Sequence, residues 1–367
     1  MKILHVVKKY PRALGGDAIV VANLRKQQLV AGHSVAIVTS NCDEIKNRRH
    51  IYKFGLKDTA ANLDNITIKR LISLLMLFFQ MFAILRKERP DIVHTHSIDM
   101  AFFVSFAARW YHIPTIHTFH IVTFYDAAQS VIRRKSELWL ARHAKLHRIT
   151  APNKYDVKKL RTAGLKQTAL LPNGVNLALW QPYGYTEKNK TATFIAYGRL
   201  EAQKGYEYLI KAVALLVATQ PIQVIIVGEG SQKTKLLQLI DTLHVSENVK
   251  LVGRKSPEQI RTFLAQAHAA IFPSLYETTP LTLLETWAAG TPAIATPVGI
   301  LRDVSTNFDA ALVVPLKDEH ALAAAMQRYI EDEHLREAVA AAGYDEAEKY
   351  AWPHIAQLAE RMYRGIQ

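Results

Sequence analysis

Cysteine is almost absent from this chain, in which Cys42 is the single cysteine among 367 residues. One thiol cannot form a disulfide within the chain, and it cannot build a cysteine-based zinc site. This excludes the disulfide-stabilised class of small secreted proteins, and we expect a reducing, cytoplasmic compartment.

Long apolar runs are also missing. The longest stretch, Leu71 to Leu85, has 15 residues and is interrupted by Ser73 and Gln80. It falls short of the ~20 residues that span a bilayer, so no ordinary integral membrane protein is expected. The opening MKILHVV is too short an apolar run for a signal peptide.

Acidic residues are scarce in the first half. Residues 1–175 contain 28 Lys and Arg against 11 Asp and Glu, a net charge of +17, whereas residues 176–367 carry −3. This asymmetry suggests an anionic partner, and an anionic membrane surface and a merely solubilising surface both stay open. No aromatic and basic stripe or nucleic-acid motif is present, so no nucleic-acid partner is expected.

Hydrophobic residues make up 49% of the chain and charged residues 21%, which predicts folded domains with sizeable cores. Lys2–Val7 and Ser34–Thr39 are apolar strand segments that flank a predicted helix over Ile19–Val30, which Gly32 ends. The further predicted strands of this half are Asp91–Thr95, Thr115–Thr118, Arg148–Thr150 and one starting at Leu170, and the helices are Leu71–Arg86, Met100–Trp110 and Arg133–Ala144. This alternation is typical of a doubly wound parallel sheet.

A polar stretch, Gln181–Lys190, separates this half from a second alternation of the same kind. Its predicted strands are Thr193–Tyr197, Gln223–Val227, Val249–Val252, Ala269–Phe272, Ala293–Ala295 and Ala311–Val314. We therefore expect two α/β domains in tandem that face a central cleft, with ligands beyond the carboxyl ends of the strands.

Two loops each follow a predicted strand and precede a helix. Gly15 and Gly16 lie in the first, where glycines let backbone N–H groups approach an anion, although a plain turn would also use them. Arg199 and Lys204 lie in the second. A guanidinium and an ammonium suit a diphosphate, although a solvated charged loop would carry the same residues.

The strongest motif surrounds one helix of the second half. Thr279 is predicted as its N-cap, Pro280 as its first residue and Gly290 as its end. The start of such a helix is a second cradle for an anion. Glu277 before the helix and Glu285 on it can accept hydrogen bonds from sugar hydroxyls.

Histidines cluster at the ends of two neighbouring predicted strands. They are His94, His96, His117 and His120. A metal site is one interpretation, because rings two apart on a strand point the same way. Only Asp99 and Asp126 lie near them in sequence, so we favour hydrogen bonds to backbone for two of the four, and we expect no metal.

Together these residues resemble family 4 of the retaining glycosyltransferases, which have the GT-B fold. The resemblance runs nearly end to end, and the seven residues between Glu277 and Glu285 match the EX7E signature of that family. The N-terminal half is most similar to members of the phosphatidylinositol mannosyltransferase type. The other matching segments are Gly15-Gly16, His94–His96, His117–His120, Pro172–Val175, Gly198–Leu200, Lys204-Gly205 and Val227–Gly230.

The resemblance implies how a donor diphosphate is bound. Arg199 and Lys204 would bind it and stabilise it as the leaving group. The backbone amides of Gly16, Leu281 and Thr282 would assist.

The resemblance also implies contacts to the rest of the donor. Glu285 would hold the ribose hydroxyls and Glu277 the donor sugar. His120 would lie near the anomeric carbon. The loop with Gly253 and Arg254 would lie beside the base.

As a whole the resemblance implies a retaining hexosyltransferase with a UDP- or GDP-linked sugar as donor. It implies no required cofactor, because Arg and Lys supply the charge that a metal would otherwise bring. The implied acceptor is a lipid or glycan in cell-envelope, glycolipid or polysaccharide synthesis. The alternative is a catalytically inactive GT-B protein that binds a nucleotide sugar or a polyanion.

The implied organisation is that of two Rossmann-like domains. Residues 1–175 would bind the acceptor and reclaim a crossover helix at 352–367, and residues 176–351 would bind the nucleotide sugar. Thr278-Thr279 stands where the family usually has Gly-Phe, which leaves the sugar open. Trp287 replaces a small residue or methionine, which we interpret as packing.

The apolar segment Lys69–Arg89 has two interpretations. It is either a buried helix of the first domain or a helix that docks on lipid, since basic residues flank it at both ends. In the second case the protein would be peripheral at the inner face of the membrane.

Overall fold

The computed structural model of this protein describes residues 1–10, 16–41, 50–55, 68–125, 130–181, 191–302 and 309–366. It divides into two compact units, residues 1–173 with 352–367 and residues 174–351. Several residues named above fall outside the described part of the chain: Gly15, Cys42, Asp126 and all of the polar stretch except Gln181.

The first unit alternates strands and helices. Its strands are β1 Lys2–Lys9, β2 Ser34–Asn41, β3 Ile51–Lys53, β4 Ile92–Thr95, β5 Thr115–Thr118, β6 Arg148–Ala151 and β7 Thr168–Leu170. Its helices are α1 Gly16–Val30, α2 Ile68–Glu88, α3 Ile98–Trp110, α4 Val131–His143 and α5 Lys154–Thr162, with a short 3₁₀ turn at Thr123–Tyr125.

The second unit repeats the alternation. Its strands are β8 Ala192–Tyr197, β9 Ile222–Val227, β10 Val249–Leu251, β11 Ala269–Phe272, β12 Ala293–Ala295 and β13 Leu312–Val313. Its helices are α6 Leu177–Trp180, α7 Tyr206–Leu216, α8 Lys233–Thr242, α9 Pro257–Gln266, α10 Leu281–Ala288, α11 Glu319–Glu331 and α12 Glu333–Glu348, and α13 Trp352–Arg364 belongs to the first unit. Two 3₁₀ turns, Ala202–Lys204 and Gly299–Arg302, complete it.

The described strands form one parallel sheet in each unit. The order is β3-β2-β1-β4-β5-β6-β7 in the first and β10-β9-β8-β11-β12-β13 in the second. In each sheet, successive strands are first added on one side and then on the other. This reversal of strand order lies between β1 and β4 in the first sheet and between β8 and β11 in the second. In open parallel sheets ligands bind beyond the carboxyl ends of the strands at such a reversal.

Burial explains why these segments are strands. All six residues of β8 and all four of β4 are buried, as expected where helices cover both faces of a parallel sheet. The predicted α/β fold with two doubly wound parallel sheets is therefore confirmed.

The last helix completes the core of the first unit rather than the second. Trp352, Ile355 and Tyr363 of α13 are buried in one cluster with Ile3 of β1 and Leu24 of α1. The strongly amphipathic sequence of α13 therefore buries its apolar face against the N-terminal sheet.

One predicted helix start is wrong. Helix α10 begins at Leu281, its N-cap is Pro280, and no side chain caps it, whereas Thr279 was expected as the N-cap. Thr279 is buried, because the preceding loop packs against Gly299, where a Cβ would lie 2.3 Å from the carbonyl oxygen of Thr278. Packing therefore takes Thr279 out of the capping position. The predicted end of the helix at Gly290, which has a φ of 61°, is correct.

Within the described residues, no helix has both the length and the apolar character that crossing a membrane requires.

Candidate active site

The two loops at the reversal of the second sheet bring Lys204 and Glu277 together. Lys204 follows β8 and Glu277 follows β11, and these strands are neighbours. The Lys204 Nζ lies 2.5 Å from Glu277 Oε1, and both side chains are mostly buried, at 12% and 13% exposure. Ser274 donates a hydrogen bond of 3.3 Å to the same carboxylate oxygen. The ammonium that would meet a diphosphate is thus already paired with a carboxylate.

Gly205 makes this approach of the two loops possible. It has a φ of 64°, and a Cβ there would lie 2.1 Å from the carbonyl oxygen of Pro273. Both facts require glycine, because other residues adopt this backbone conformation at a cost and the added carbon would clash with backbone. Lys204 is therefore placed by a direct backbone contact between the two loops.

Helix α10 starts at the same edge of the sheet. The amides of Leu281 and Thr282 are the first two of the helix and have no intrahelical acceptor. Below them, the buried Tyr197 of β8 donates a hydrogen bond of 2.6 Å to the carbonyl of Thr282 and lies 2.9 Å from the hydroxyl of Thr286. This hydroxyl fixes the first turn of the helix to the sheet.

Glu285 lies on α10 and is partly exposed. Burial raises the pKa of its carboxyl to about 7, and the positive charge of Lys204 acts in the opposite direction. A carboxyl with this pKa near neutral pH can donate or accept a hydrogen bond, which suits recognition of hydroxyl groups.

Three further predicted donor contacts, Arg199, Gly253 and Arg254, lie at loops of the same unit. Arg199 and Arg254 are exposed. Gly253 accepts a hydrogen bond of 2.9 Å from the amide of Gly228, so the loop after β10 is held against the loop after β9. The Arg199 charge lowers the pKa of Glu201 slightly, after the larger effect of hydrogen bonds from Ser231.

The first unit places histidines at its own sheet reversal. His96 follows β4 and His120 follows β5, and their rings are joined by a hydrogen bond of 3.0 Å between Nδ1 of His96 and Nε2 of His120. His5 of β1 bonds Nε2 of His96 through its Nδ1, also at 3.0 Å. A pairing of this kind between β1 and β4 was not predicted, because His5 lies far from the others in sequence.

We expected two of the four histidines to bond backbone without naming which, and His94 bonds side chains at both ring nitrogens. Its Nδ1 lies 2.8 Å from the hydroxyl of Tyr363 and its Nε2 lies 2.7 Å from that of Thr118. His117 has the hydroxyl of Thr95 at 3.0 Å from its Nδ1. His117 also has a hydrogen bond to the backbone of Thr95, which acts to raise its pKa against the larger effect of burial.

Burial keeps this cluster neutral. It lowers the pKa of His5 to about 4 and that of His117 to about 3, and it lowers those of His94 and His96 well below the usual value. The pKa of His120 is also lowered, chiefly by burial, with Asp17 acting against it. Each ring therefore has one donating and one accepting nitrogen near neutral pH.

Gly16 starts α1 and is exposed. A Cβ at this position would meet no atom within 4 Å, and its φ is not in the left-handed region. Neither packing nor backbone conformation within the described residues requires glycine here, which is consistent with a position left open for a ligand.

Comparison with known protein families identifies both halves. The model described as "Glycosyltransferase Family 4" matches residues 14–179, and the model described as "Glycosyl transferases group 1" matches residues 184–346. The chain belongs to family 4 of the glycosyltransferases. The predicted enzyme class is thereby confirmed.

Similar curated proteins cover most of the enzyme. A glycogen synthase of Mycobacterium tuberculosis is 27% identical over 99% of this chain and 94% of its own length. A phosphatidyl-myo-inositol mannosyltransferase of Mycobacterium leprae is 26% identical over 75% of this chain and 74% of its own length.

Solved structures share the fold of the glycosyltransferase. A sucrose-phosphate synthase of Thermosynechococcus elongatus superposes with a TM-score of 0.82 at 22% identity over 100% of this chain and 99% of its own. Anabaena HepE in complex with UDP-glucose superposes with a TM-score of 0.80 at 16% identity, and each chain is covered completely. These likenesses confirm the GT-B fold.

Sequence reasoning missed the residues that support the site. No role was predicted for Tyr197, Ser274, Tyr363 or Gln28, the last of which bonds His5 through its side-chain oxygen. The position of Tyr197 at the carboxyl end of a buried strand offered a signal, because a polar group there must find a partner. No local pattern pointed to Tyr363.

Proposed function

We propose that this enzyme transfers a hexose-type sugar, with retention of configuration, from a UDP- or GDP-linked donor to a lipid or glycan acceptor. Residues 176–351 would bind the nucleotide sugar and residues 1–175 with 352–367 the acceptor. The proposal of retention is supported by family membership and by the EX7E pair Glu277 and Glu285.

The observation that carries the donor site is the convergence at the reversal of the second sheet. Lys204, Glu277 and the first amides of α10 share one edge. A diphosphate would draw the Lys204 ammonium away from Glu277, and Arg199 would add a second cation. The freed Glu277 carboxylate would then accept hydrogen bonds from the donor sugar, and Glu285 would hold the ribose.

The positive groups replace the charge that a metal ion would supply to the leaving diphosphate. We therefore propose that the enzyme needs no cofactor. Gly16, Leu281 and Thr282 would contribute backbone amides, His120 would contact the donor sugar, and Gly253 and Arg254 would lie beside the base.

The donor is identified by thermal unfolding with UDP, GDP and ADP and with their glucose, N-acetylglucosamine and mannose conjugates, each with and without Mg²⁺. A ligand at 100 times its Kd stabilises the folded state by about 2.7 kcal/mol. We expect one base to raise the Tm without Mg²⁺. A response that requires Mg²⁺ would contradict the proposed cofactor independence.

Retention is tested with the donor that responds. NMR of the transferred sugar reads the anomeric configuration directly, and we expect it to match that of the donor. Inversion would contradict the proposal. Tight donor binding without transfer to lipid extracts or glycans, and without donor hydrolysis, would favour an inactive binding protein.

We further propose that the enzyme is peripheral at the cytoplasmic face of an anionic membrane. Helix α2 has one buried face, which includes Leu77 and Met81, and one exposed apolar face, which includes Phe79 at 69% exposure. The buried interpretation fits the first face, and we assign the lipid-docking interpretation to the second.

The exposed apolar face continues over α3 and α4. Phe82 of α2 packs beside Trp110 of α3 with ring centroids 6.5 Å apart, and Phe102 of α3 lies 5.5 Å from Trp139 of α4. Trp110 is 75% exposed. We define the membrane face as the exposed large apolar residues of α2, α3 and α4, which are Leu71, Ile72, Leu75, Met76, Phe79, Phe106, Trp110, Val131, Ile132 and Trp139.

Basic residues on the same helices complement anionic head groups. Arg86, Lys87, Arg109, Lys135 and Arg142 are exposed on α2, α3 and α4. Aromatic and basic residues on one surface are typical of interfacial binding, and attraction amounts to about 1 kcal/mol per cation near the surface.

Sedimentation with vesicles tests this membrane face. We expect the protein to bind vesicles that contain phosphatidylglycerol and not vesicles of phosphatidylcholine alone. The double variant Phe79→Ser, Trp110→Ser should weaken binding about tenfold or more, since each buried aromatic contributes about 1.5–3 kcal/mol. Leu215→Ser with Leu237→Ser, on exposed apolar positions of the other unit, is the matched control. Equal binding by both double variants would exclude this face.

A further inference from the structure

The histidine cluster of the first unit is one part of a longer chain of hydrogen bonds. The second ring nitrogen of His5, Nε2, lies 2.9 Å from the side-chain oxygen of Gln28 on α1. The amide nitrogen of Gln28 donates a hydrogen bond of 3.3 Å to the hydroxyl of Tyr363 on α13. Tyr363 in turn lies 2.8 Å from Nδ1 of His94.

The chain continues through the sheet and ends at a backbone carbonyl. His94 Nε2 lies 2.7 Å from the hydroxyl of Thr118, which lies 2.6 Å from that of Thr150. The Thr150 hydroxyl donates over 3.5 Å to the carbonyl oxygen of His117. Because a carbonyl can only accept, each hydroxyl before it donates forward along the chain.

The side-chain amide of Gln28, in the middle of this chain of hydrogen bonds, requires the same direction of donation. Its nitrogen donates to Tyr363, so the Tyr363 hydroxyl donates onward to His94. Its oxygen accepts from His5, so the proton of His5 lies on Nε2 and its Nδ1 accepts from His96. A neutral imidazole has one donor and one acceptor, so Nδ1 of His96 must accept from Nε2 of His120.

We propose that Gln28 and Tyr363 are positioning residues for His120, because the chain through them places the His120 proton on Nε2 and makes its Nδ1 an acceptor. This rests on the proposed contact of His120 with the donor sugar. An accepting Nδ1 fits a sugar hydroxyl and does not fit an anionic oxygen. Tyr363 of helix α13 thereby sets the tautomer of His120, which lies two residues beyond the end of β5.

The same geometry argues against a metal ion in this cluster. The ligand atoms of His5, His94 and His96 lie within 4.8 Å of one another. All six of their ring nitrogens already have hydrogen-bond partners. Binding an ion here would break hydrogen bonds of the chain, because each ligand nitrogen would have to give up its partner.

The tautomer is measured directly in protein labelled with ¹⁵N at the histidine rings, since protonated and unprotonated ring nitrogens differ widely in ¹⁵N shift. A His120→Asn variant assigns the resonances of His120. We expect Nε2–H in the wild type at neutral pH. We expect a mixture of tautomers in Gln28→Leu, which has no side-chain amide, and in Tyr363→Phe, which lacks the hydroxyl that orients the Gln28 amide. In neither variant is the proton of His5 held on Nε2.

Tyr329→Phe is the matched control, because it removes a buried tyrosine hydroxyl that bonds the carbonyl of Ala293 in the other unit. It should cost similar stability and leave the His120 tautomer unchanged. Tyr363→Phe should lower kcat about fivefold or more and leave the Kd of the nucleoside diphosphate within about twofold, since a misplaced proton affects only the step that uses it.

An Nδ1–H tautomer in the wild type, or an unchanged His120 spectrum in folded Tyr363→Phe, would overturn this inference. The spectrum does not depend on turnover. A wild type that transfers no sugar but shows the expected tautomer would therefore count against the proposed function alone.

Discussion

Lys204 carries the buried positive charge of the proposed donor site. Removing its charge in Lys204→Met should weaken binding of the nucleoside diphosphate about tenfold to a hundredfold, because hydrogen bonds to charged groups contribute about 1.5–3 kcal/mol. Isothermal titration measures this. Lys211→Met is the control, since the Lys211 side chain is only half-buried and its Nζ lies 4.0 Å from the carboxylate of Glu319. Equal losses in both variants would mean that general charge, and not this site, holds the ligand.

Glu285 should make stability depend on pH. Its pKa is raised to about 7 in the folded state, so the folded state binds more protons than the unfolded state between about pH 4.5 and 7. The free energy of unfolding therefore falls as pH rises through this window. Glu285→Gln has no titrating carboxyl at this position. At pH 8 we expect its free energy of unfolding to exceed that of the wild type by about 1–2 kcal/mol, after allowance for partial exposure.

Urea unfolding at pH 5 and pH 8 checks the Glu285 prediction. At pH 5 the wild-type carboxyl is protonated in the folded state, and the two proteins should differ little. The same difference at both pH values would contradict the assigned titration.

At the scale of elements, substitution of two glycines at loop and helix junctions should affect stability to very different extents. Gly205→Ala should lower the free energy of unfolding by more than about 2 kcal/mol, because the left-handed conformation and the contact with Pro273 both resist a Cβ. The donor affinity should fall as well, since Lys204 is placed by this contact.

Gly16→Ala is the contrasting variant, because open space surrounds its Cβ position. The free energy of unfolding should change by less than about 1 kcal/mol. Binding of the nucleotide sugar should nevertheless weaken, since a methyl group would occupy the approach to the backbone amide. Urea unfolding and ligand titration on the same samples separate the two effects. Undiminished affinity would remove Gly16 from the donor site.

At the scale of the whole molecule, the last helix, α13, belongs to the first unit, although the residues before it belong to the second. Trp352 is buried in the core of the first unit and Trp287 in that of the second. Each substitution by alanine should cost about 3–5 kcal/mol, but in different units. Amide hydrogen exchange should show lost protection in β1 for Trp352→Ala and in β8 for Trp287→Ala. Loss in both sheets from either variant would mean that the units unfold together.

Much of the architecture follows from local patterns. Apolar runs such as those of β4 and β8 mark strands buried on both faces, and the spacing of α2 and α13 marks helices. Thr279 shows the limit, because its capping preference is local, whereas the neighbouring Thr278 packs against Gly299, 21 residues further along the chain.

The candidate site likewise contains residues that local motifs predict and residues that only the fold brings together. Glu277, Glu285, Lys204 and His120 could be named from motifs in one stretch of sequence each. Their partners could not, since the hydrogen bond of Tyr363 to His94 joins residues 269 positions apart.

The sequence by itself determined two parallel-sheet domains, the family and the charged groups of the proposed donor site, because composition, periodicity and short motifs are encoded locally. The tertiary structure alone decided that Lys204 pairs with Glu277 and that an apolar face of α2 stays exposed. It also decided that one hydrogen-bond chain sets the tautomer of His120. These depend on which strand ends and helices become neighbours, and that is a property of the folded sheet order rather than of any segment.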